Sequence, residues 1–546
     1  MNKKIFLGSL LMLALCVTGC NNNVNSESKA TSNSSQETST SAPVEGGEGF
    51  TFDDAELEEP QVIHTEDQQK FLNFSKEYYR ITANDLTSFN ASGRQNVSAP
   101  NPVKISWEYD APADKEVKKF SLVFGQEEDL SDGYEVSGST KNEISFYNAF
   151  LGTNYFKVIA HFKDDSEEES EIKTFEVEDV APRNLKVGNM PNCRDMGGRT
   201  TYAGGKIKQG LLYRTSGSKF DNSTPSDDEA KTVLKQQLGV KTEINVANST
   251  TNNVNLDGVK VVNAYMDYGA TPYSNMARNA EKIRQVMDVL ADEDNYPVFY
   301  HCRIGTDRTG ITGLTISGLL GIPFNEAFQD YVFSNFSPID GQRYPNKPSD
   351  PNGDDPAKYI DEILAMPGKN FQEQTYNALL SIGIPAAKLN KIIDIMTVGA
   401  KAQLPETAKV AAGEALTSTG TKKTDSNYAN PAVYYEVGAN KTASFAPTLT
   451  AGEKDIVVYL GSTDSSDSTK LASRISLKID GQEQTIVDKT LFKAGFGKTQ
   501  QNNRTGYMFN LLGKYNVTAG AHTIEIAVKS GTFNIGTIAV FDHVAA

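Results

Sequence analysis

The run His301-Cys-Arg-Ile-Gly-Thr-Asp-Arg-Thr-Gly310 constrains this chain more than any other stretch. Ahead of it, Tyr296-Pro-Val-Phe-Tyr300 predicts a short buried strand. Behind it, residues 308–320 are apolar with many small side chains and predict a helix stopped by Gly321 and Pro323. Cys302 and Arg308 therefore stand at the two ends of a tight loop between a strand and a helix. Such a loop points successive backbone N–H groups inward and makes an anion nest. The positive end of the following helix adds to it. A nest of this kind stabilises a thiolate first and phosphoryl oxygens afterwards. Gly305 turns the backbone without a Cβ clash. The Arg308 fork matches two phosphate oxygens, as a lysine cannot. Thr309 offers a hydroxyl to the sulfur, and Arg303, Ile304, Gly305 and Thr306 line the nest. A lone cysteine is more often a small buried hydrophobe. The full string, with its strand and helix, is far more specific.

The string resembles the His-Cys-x-x-Gly-x-x-Arg-Thr-Gly signature of the cysteine-dependent protein tyrosine phosphatase superfamily. It is most similar to the bacterial tyrosine phosphatase family, whose loop reads His-Cys-x-x-Gly-Lys-Asp-Arg-Thr-Gly. Three further stretches resemble that branch: Asn192-Cys-Arg-Asp-Met-Gly-Gly198, Gly210-Leu-Leu-Tyr-Arg-Thr-Ser216 and Asp330-Tyr-Val-Phe-Ser-Asn335. The resemblance covers about residues 182–400. It implies attack of Cys302 on phosphorus, a phosphocysteine intermediate, and no metal or other cofactor. Secreted members act on phosphotyrosine and phosphoinositides. Phosphotyrosine is the expected substrate here, with an inositol phosphate or phosphoinositide as the alternative. Three departures bear on this. Thr306 replaces a lysine often tied to phosphoinositide activity, which counts against a lipid substrate although Arg303 supplies charge nearby. Asn245-Val-Ala247 stands where the branch has Asp-Leu-Arg, and Cys193 replaces an aromatic residue.

Cleavage of a phosphate ester needs a proton donor for the leaving oxygen. The resemblance favours Asp307, inside the loop. The alternative is Asp267, in Ala264-Tyr-Met-Asp-Tyr-Gly-Ala270, where other superfamily members keep their acid. The plain readings are a helix N-terminal carboxylate for Asp307 and a solvated turn residue for Asp267. Arg194 and Asp195 are further candidates for the substrate site; Asp195 is also a third candidate for the acid, and reads more readily as structural or as acting through Arg194. His301 is expected to hold the loop and tune the thiolate through a hydrogen bond.

The rest of the chain sets the context. Met1-Asn-Lys-Lys4, a short apolar run and Val17-Thr-Gly-Cys20 fit a bacterial lipoprotein signal over 1–20, with Cys20 as the lipidated residue. A surface-anchored, extracytoplasmic protein is the expectation. Residues 21–58 begin as a polar tether poor in large apolar side chains. Four cysteines, two of them in or beside the signal, leave no disulfide framework. Cys193 is readable as a packing residue or as a resolving thiol for oxidised Cys302. A formal net charge of −16 argues against nucleic acid as a partner.

Residues 59–180 predict an all-β unit after a short helix over 66–79. Val103-Lys-Ile-Ser-Trp-Glu-Tyr109 alternates as a strand does, and Trp107 with Leu151-Gly-Thr-Asn-Tyr155 resembles the core tryptophan and tyrosine corner of a fibronectin type III or immunoglobulin-like sandwich. Residues 181–402 alternate helix and strand before a helical tail, which predicts an α/β catalytic domain. Residues 403–546 read as strands separated by turns and resemble a carbohydrate-binding jelly roll. Surface glycans are therefore a candidate partner, with Tyr434, Tyr435 and Tyr507 either sugar platforms or core. The competing reading of the whole chain is a surface binding protein that recognises phosphorylated ligands without turnover.

Overall fold

The computed structural model describes residues 49–543 apart from 222, 267–275, 277–278, 346–358, 361–362, 405–412, 415–416, 425–432, 463–469 and 488–507. The expected signal with Cys20, the acid candidate Asp267 and Tyr507 lie outside the described residues.

At the centre is a six-stranded sheet in the order Arg183–Asn184, Arg194–Asp195, Leu212–Thr215, Val298–His301, Thr242–Asn245, Lys260–Asn263. The last four strands run parallel. Parallel strands are covered on both faces, so they read as unbroken apolar runs rather than alternation. Val298–His301 obeys this, with all four residues buried. It lies inside the sheet, with His301 between Thr215 and Asn245 in register. The loop that follows therefore opens at the carboxyl ends of the parallel strands, where open α/β sheets carry their ligands.

Every residue of the next helix, Asp307–Leu320, is buried. Its small residues make that possible. A Cβ on Gly310 would meet the Tyr331 ring at 2.5 Å, and one on Gly318 would meet the Thr375 hydroxyl at 2.2 Å. Gly321, at φ 86°, ends the helix, and Pro323 caps Phe324–Phe333. Helices Ala280–Leu290, Phe371–Ser381 and Ala386–Met396 complete the apolar jacket.

Two all-β units flank this core. Toward the N-terminus, Val103–Ser106 pairs Glu143–Phe146, facing a sheet of Tyr134–Ser139, Val117–Gly125, Gly152–Phe162 and Glu167–Glu169, with Lys173–Val177 also on Gly152–Phe162. Trp107 is in its core as expected. The expected tyrosine corner differs. Asn154 builds it, its side-chain amide bonding the Phe150 N–H and the carbonyls of Phe150 and Gly152, while Tyr155 is only half-buried. An amide serves there because it both donates and accepts.

Residues 66–98 do not join that sandwich. Helices Glu66–Leu72 and Ala83–Ser88, each opened by a capping box, pack on the catalytic core. Phe71 meets Phe333 and Phe336 edge to face, and the Tyr78 hydroxyl accepts from Gln329. Toward the C-terminus, two antiparallel sheets enclose a second apolar core. Val457, Ala539 and Phe541 of one sheet instead face the catalytic core, with Tyr434 half-buried beside them. Tyr435 packs on the inner core of the sandwich. Both tyrosines are packing residues rather than open platforms.

Candidate active site

The loop 302–306 is held from outside, carbonyl by carbonyl. His301 Nδ1 donates to the Cys302 carbonyl at 2.9 Å. The Gly217 N–H donates to the Arg303 carbonyl at 2.9 Å. Asn192 Nδ2 reaches the carbonyls of Ile304 and Gly305 at 3.2 and 2.9 Å, and Arg214 Nη2 reaches Gly305 at 2.8 Å. In a trans peptide the C=O and the next N–H point in opposite directions. With the carbonyls of 302 to 305 turned outward, the N–H groups of 303 to 306 turn into the loop, where they form the nest. Two glycines permit this closeness. A Cβ on Gly305, at φ 72°, would lie 2.5 Å from the Thr215 carbonyl, and one on Gly217 would lie 2.5 Å from the Cys302 carbonyl.

Cys302 is 1% exposed. Burial alone would raise its pKa, yet the thiol is lowered, because the Arg308 charge and the Thr309 hydroxyl and N–H outweigh burial and the opposing charge of Asp307. Asp307 begins the helix, and its Oδ1 accepts from Arg343 Nε at 3.1 Å.

His301 is wholly buried, and both its ring nitrogens face acceptors, the Cys302 carbonyl and Glu243 Oε1, the latter at 2.9 Å. Two acceptors require two ring protons, so the imidazole is cationic. Its pKa is raised: burial opposes this, but the Glu243 carboxylate prevails. The ring thus meets the loop at the Cys302 carbonyl and makes no hydrogen bond to the sulfur.

The structure shows where the side chains of three further candidates are engaged. Arg194 does not line the substrate site. It is buried and spends its guanidinium on Asp330, Asn192 and Ser334. It acts on the loop only through Asn192 and Asp330. Asp195 is structural: it pairs with Arg183 at 2.9 Å and accepts the N–H groups of Gly197 and Gly210. Arg183 also donates to the carbonyls of Asn148 and Ala149 on the N-terminal sandwich, so Asp195 helps join two units. Thr306 is fully buried, with its hydroxyl accepting from Asn192 behind the loop, so only its N–H faces inward. Arg303 is half-buried at the loop's rim, and Ile304 is buried.

Sequence reasoning did not assign the supports. Asp330 bridges Arg194 and Arg214 from one buried carboxylate. Burial would raise that carboxyl, but the two guanidinium groups, with Arg199, hold it far below the usual range. Burial and the Arg214 charge push Arg194 down to about 10. Arg214 and Asp330 lay in quoted motifs, but Glu243 and Arg343 stood in none. In place of the expected acidic residue, Asn245 bonds Asn253, the Ser249 carbonyl and the Ala247 N–H, bracing the neighbouring turn.

A buried cysteine with a lowered thiol pKa thus stands at the end of an inner parallel strand and before a buried helix, in a loop whose carbonyls are bound from outside. Residues 185–344 match the tyrosine phosphatase family. No curated protein matches the chain. Solved structures are similar over parts of it. The core catalytic domain of the PP-IP phosphatase SIW14 from S. cerevisiae is 20% identical, covering 23% of this chain and 72% of that one, with a TM-score of 0.19. The C-terminal CBM6 of LamC, a laminarinase from Zobellia galactanivorans, is 18% identical over 24% of this chain and 99% of that one, with a TM-score of 0.19. The chain spans 28% of an exo-β-1,3-galactanase from Phanerochaete chrysosporium, at 15% identity, 24% of this chain and a TM-score of 0.19.

Proposed function

We propose that the protein is a phosphomonoesterase that works through Cys302. The observation that carries this reading is the loop itself: four carbonyls bound from outside, four amides turned in, and a buried thiol whose pKa is lowered. Cys302 Sγ attacks phosphorus, forming an S–P bond as the P–O bond to the leaving group breaks. The leaving oxygen takes the proton of Asp307. Asp307 then removes a proton from water, whose oxygen displaces Cys302 and releases inorganic phosphate. Arg308 and the loop amides hold the non-bridging oxygens, which carry the charge in the transition state.

The substrate we propose is phosphotyrosine. Cys302 is almost wholly buried, which favours a phosphate carried on a longer arm, and a tyrosyl phosphate reaches farther than a seryl one. Inositol phosphates or phosphoinositides are the second class, favoured by the half-buried Arg303 at the rim. The lipobox ending in Cys20 supports an anchor on the outer face of the membrane. Glycan binding by the C-terminal sandwich gains nothing from Tyr434 and Tyr435, which are packed.

The test is hydrolysis of 4-nitrophenyl phosphate by the wild type and Cys302→Ser, followed by a panel of phosphotyrosine peptides, inositol phosphates and phosphoinositide vesicles. Loss of about four orders of magnitude in the variant is expected, as for removal of a catalytic nucleophile. Equal rates would leave the domain a binder of phosphorylated ligands.

A further inference from the structure

Arg343 lies at the C-terminal edge of the family match, in a stretch no sequence motif singled out. Its Nε donates to Asp307 Oδ1 at 3.1 Å, while its Nη1 is held by the Gly341 carbonyl at 3.0 Å. Its backbone is pinned at both ends by one side chain. Asn335 Oδ1 accepts the Arg343 N–H at 2.7 Å, and Asn335 Nδ2 donates to the Arg343 carbonyl at 2.8 Å. Asn335 is itself fully buried. The guanidinium is therefore delivered to Asp307 from a fixed backbone.

That backbone is in turn clamped by residues outside the family match. The Gly93 carbonyl accepts the N–H groups of Ile339 and Gly341, both at 2.9 Å, and the Gly93 N–H donates to the Asn335 carbonyl at 2.8 Å. Gly93 sits at φ 67°, and a Cβ there would lie 2.6 Å from the carbonyl carbon of Gly341. Gln342 Nε2 reaches the carbonyls of Ala83 and Ala91. The segment 83–97 is thus a strap across the strand of chain that carries Arg343.

We propose that Arg343 is the positioning residue for Asp307, and that the strap through Gly93 sets where Arg343 stands. This rests on the reading of Asp307 as proton donor. A carboxyl group hands over a proton usefully only when it is oriented within hydrogen-bond reach of the leaving oxygen. The bond from Arg343 to Oδ1 fixes that orientation. The catalytic apparatus accordingly extends to residues about a hundred positions before the family match begins.

Leaving groups of different basicity test it. A proton donor matters most for a poor leaving group, such as an alkyl alcohol, and least for 4-nitrophenolate. In Arg343→Ala, turnover of an alkyl phosphate should fall about tenfold further than turnover of 4-nitrophenyl phosphate. Arg343→Lys should recover part of the difference, and Gly93→Ala should show the same split, smaller. Asp307→Asn should show the largest split, and adding Arg343→Ala to it should cost nothing more. Alkylation of Cys302 by iodoacetate should proceed in Arg343→Ala, showing an intact loop. Equal slowing of both esters, additive losses in the double variant, no split in Asp307→Asn, or loss of alkylation would each overturn the proposal. With Cys302→Ser inactive, no split in Asp307→Asn would strike Asp307 as the proton donor and Arg343 with it, and the other outcomes would strike Arg343 alone. An active Cys302→Ser would strike the phosphatase reading, and Arg343 with it.

Discussion

Cys302 and Cys193 are both buried thiols, 1% and 3% exposed, in neighbouring segments of one domain. They differ in every chemical respect. Cys302 is lowered below an ordinary thiol by Arg308 and Thr309 despite its burial. Cys193 is pushed up to about 12 by burial, which the Ser216 amide and the Arg194 charge offset only in part. The partners explain the difference. Around Cys302 are donors and a guanidinium, which favour a thiolate. Cys193 Sγ donates to the carbonyls of Met190 and Pro191 at 3.4 Å, which favours the protonated form. Burial does not decide whether a thiol is reactive; the polarity of what surrounds it does. Cys193 is thus a packing residue of a second apolar cluster, with Leu185, Val187 and Phe299.

The largest effect expected from this contrast is in alkylation. Pushed up to about 12, the Cys193 thiol stays protonated at pH 7. Iodoacetate at that pH should label Cys302 and leave Cys193 unlabelled in the native protein, read by peptide mass spectrometry. The thiolate is the reactive form, so labelling of Cys302 should fall as pH drops through its lowered pKa, with a midpoint below the ordinary value of 9.0. Peroxide should yield no Cys193–Cys302 disulfide peptide, because a thiol that stays protonated is a poor resolving nucleophile. Labelling of Cys193 at a comparable rate, or that disulfide, would break the comparison.

A smaller effect separates the two things Arg308 does. Arg308→Ala should lower turnover of 4-nitrophenyl phosphate by about 10³-fold, as for loss of a transition-state donor. It should also move the alkylation midpoint of Cys302 upward. Arg308→Lys keeps the charge and loses the fork, so the midpoint should move little while turnover falls by about tenfold to a hundredfold. If the alanine variant left the midpoint in place, the lowered thiol would have to come from the loop amides and Thr309 alone.

The same contrast shows what a sequence can disclose. The strand, loop and helix around Cys302 were legible because they are local. A buried run, a glycine that must turn and a helix of small residues all announce themselves within about twenty positions. The supports were not. Glu243 reaches His301 across the sheet, and Arg343 reaches Asp307 across a strapped loop, so neither has a spacing to be read. Arg194 misled for a related reason. An arginine in a motif beside a phosphate site suggests phosphate, and only the structure shows its donors taken up by Asp330, Asn192 and Ser334. The tyrosine corner failed by one position, since Asn154 supplies both a donor and an acceptor where a tyrosine was expected.

The smallest expected effect is at Cys193 itself, and it sharpens the comparison most cleanly. Cys193→Ala removes one buried sulfur from a packed cluster. By analogy with other deletions of a single buried heavy atom, it should cost about 1–2 kcal/mol of stability, seen as a lower denaturation midpoint in urea. Cys193→Ser keeps a donor near the Met190 and Pro191 carbonyls but places a polar group in that cluster, so it should cost a similar amount. Turnover and the alkylation midpoint of Cys302 should stay at wild-type values in both. The adjacent residues do touch the loop, Asn192 directly and Arg194 through it, whereas the Cys193 side chain points to the other side of the strand. A shift in the Cys302 midpoint would show that the two thiols are coupled through that short segment. The polarity around each would then no longer suffice to explain their difference.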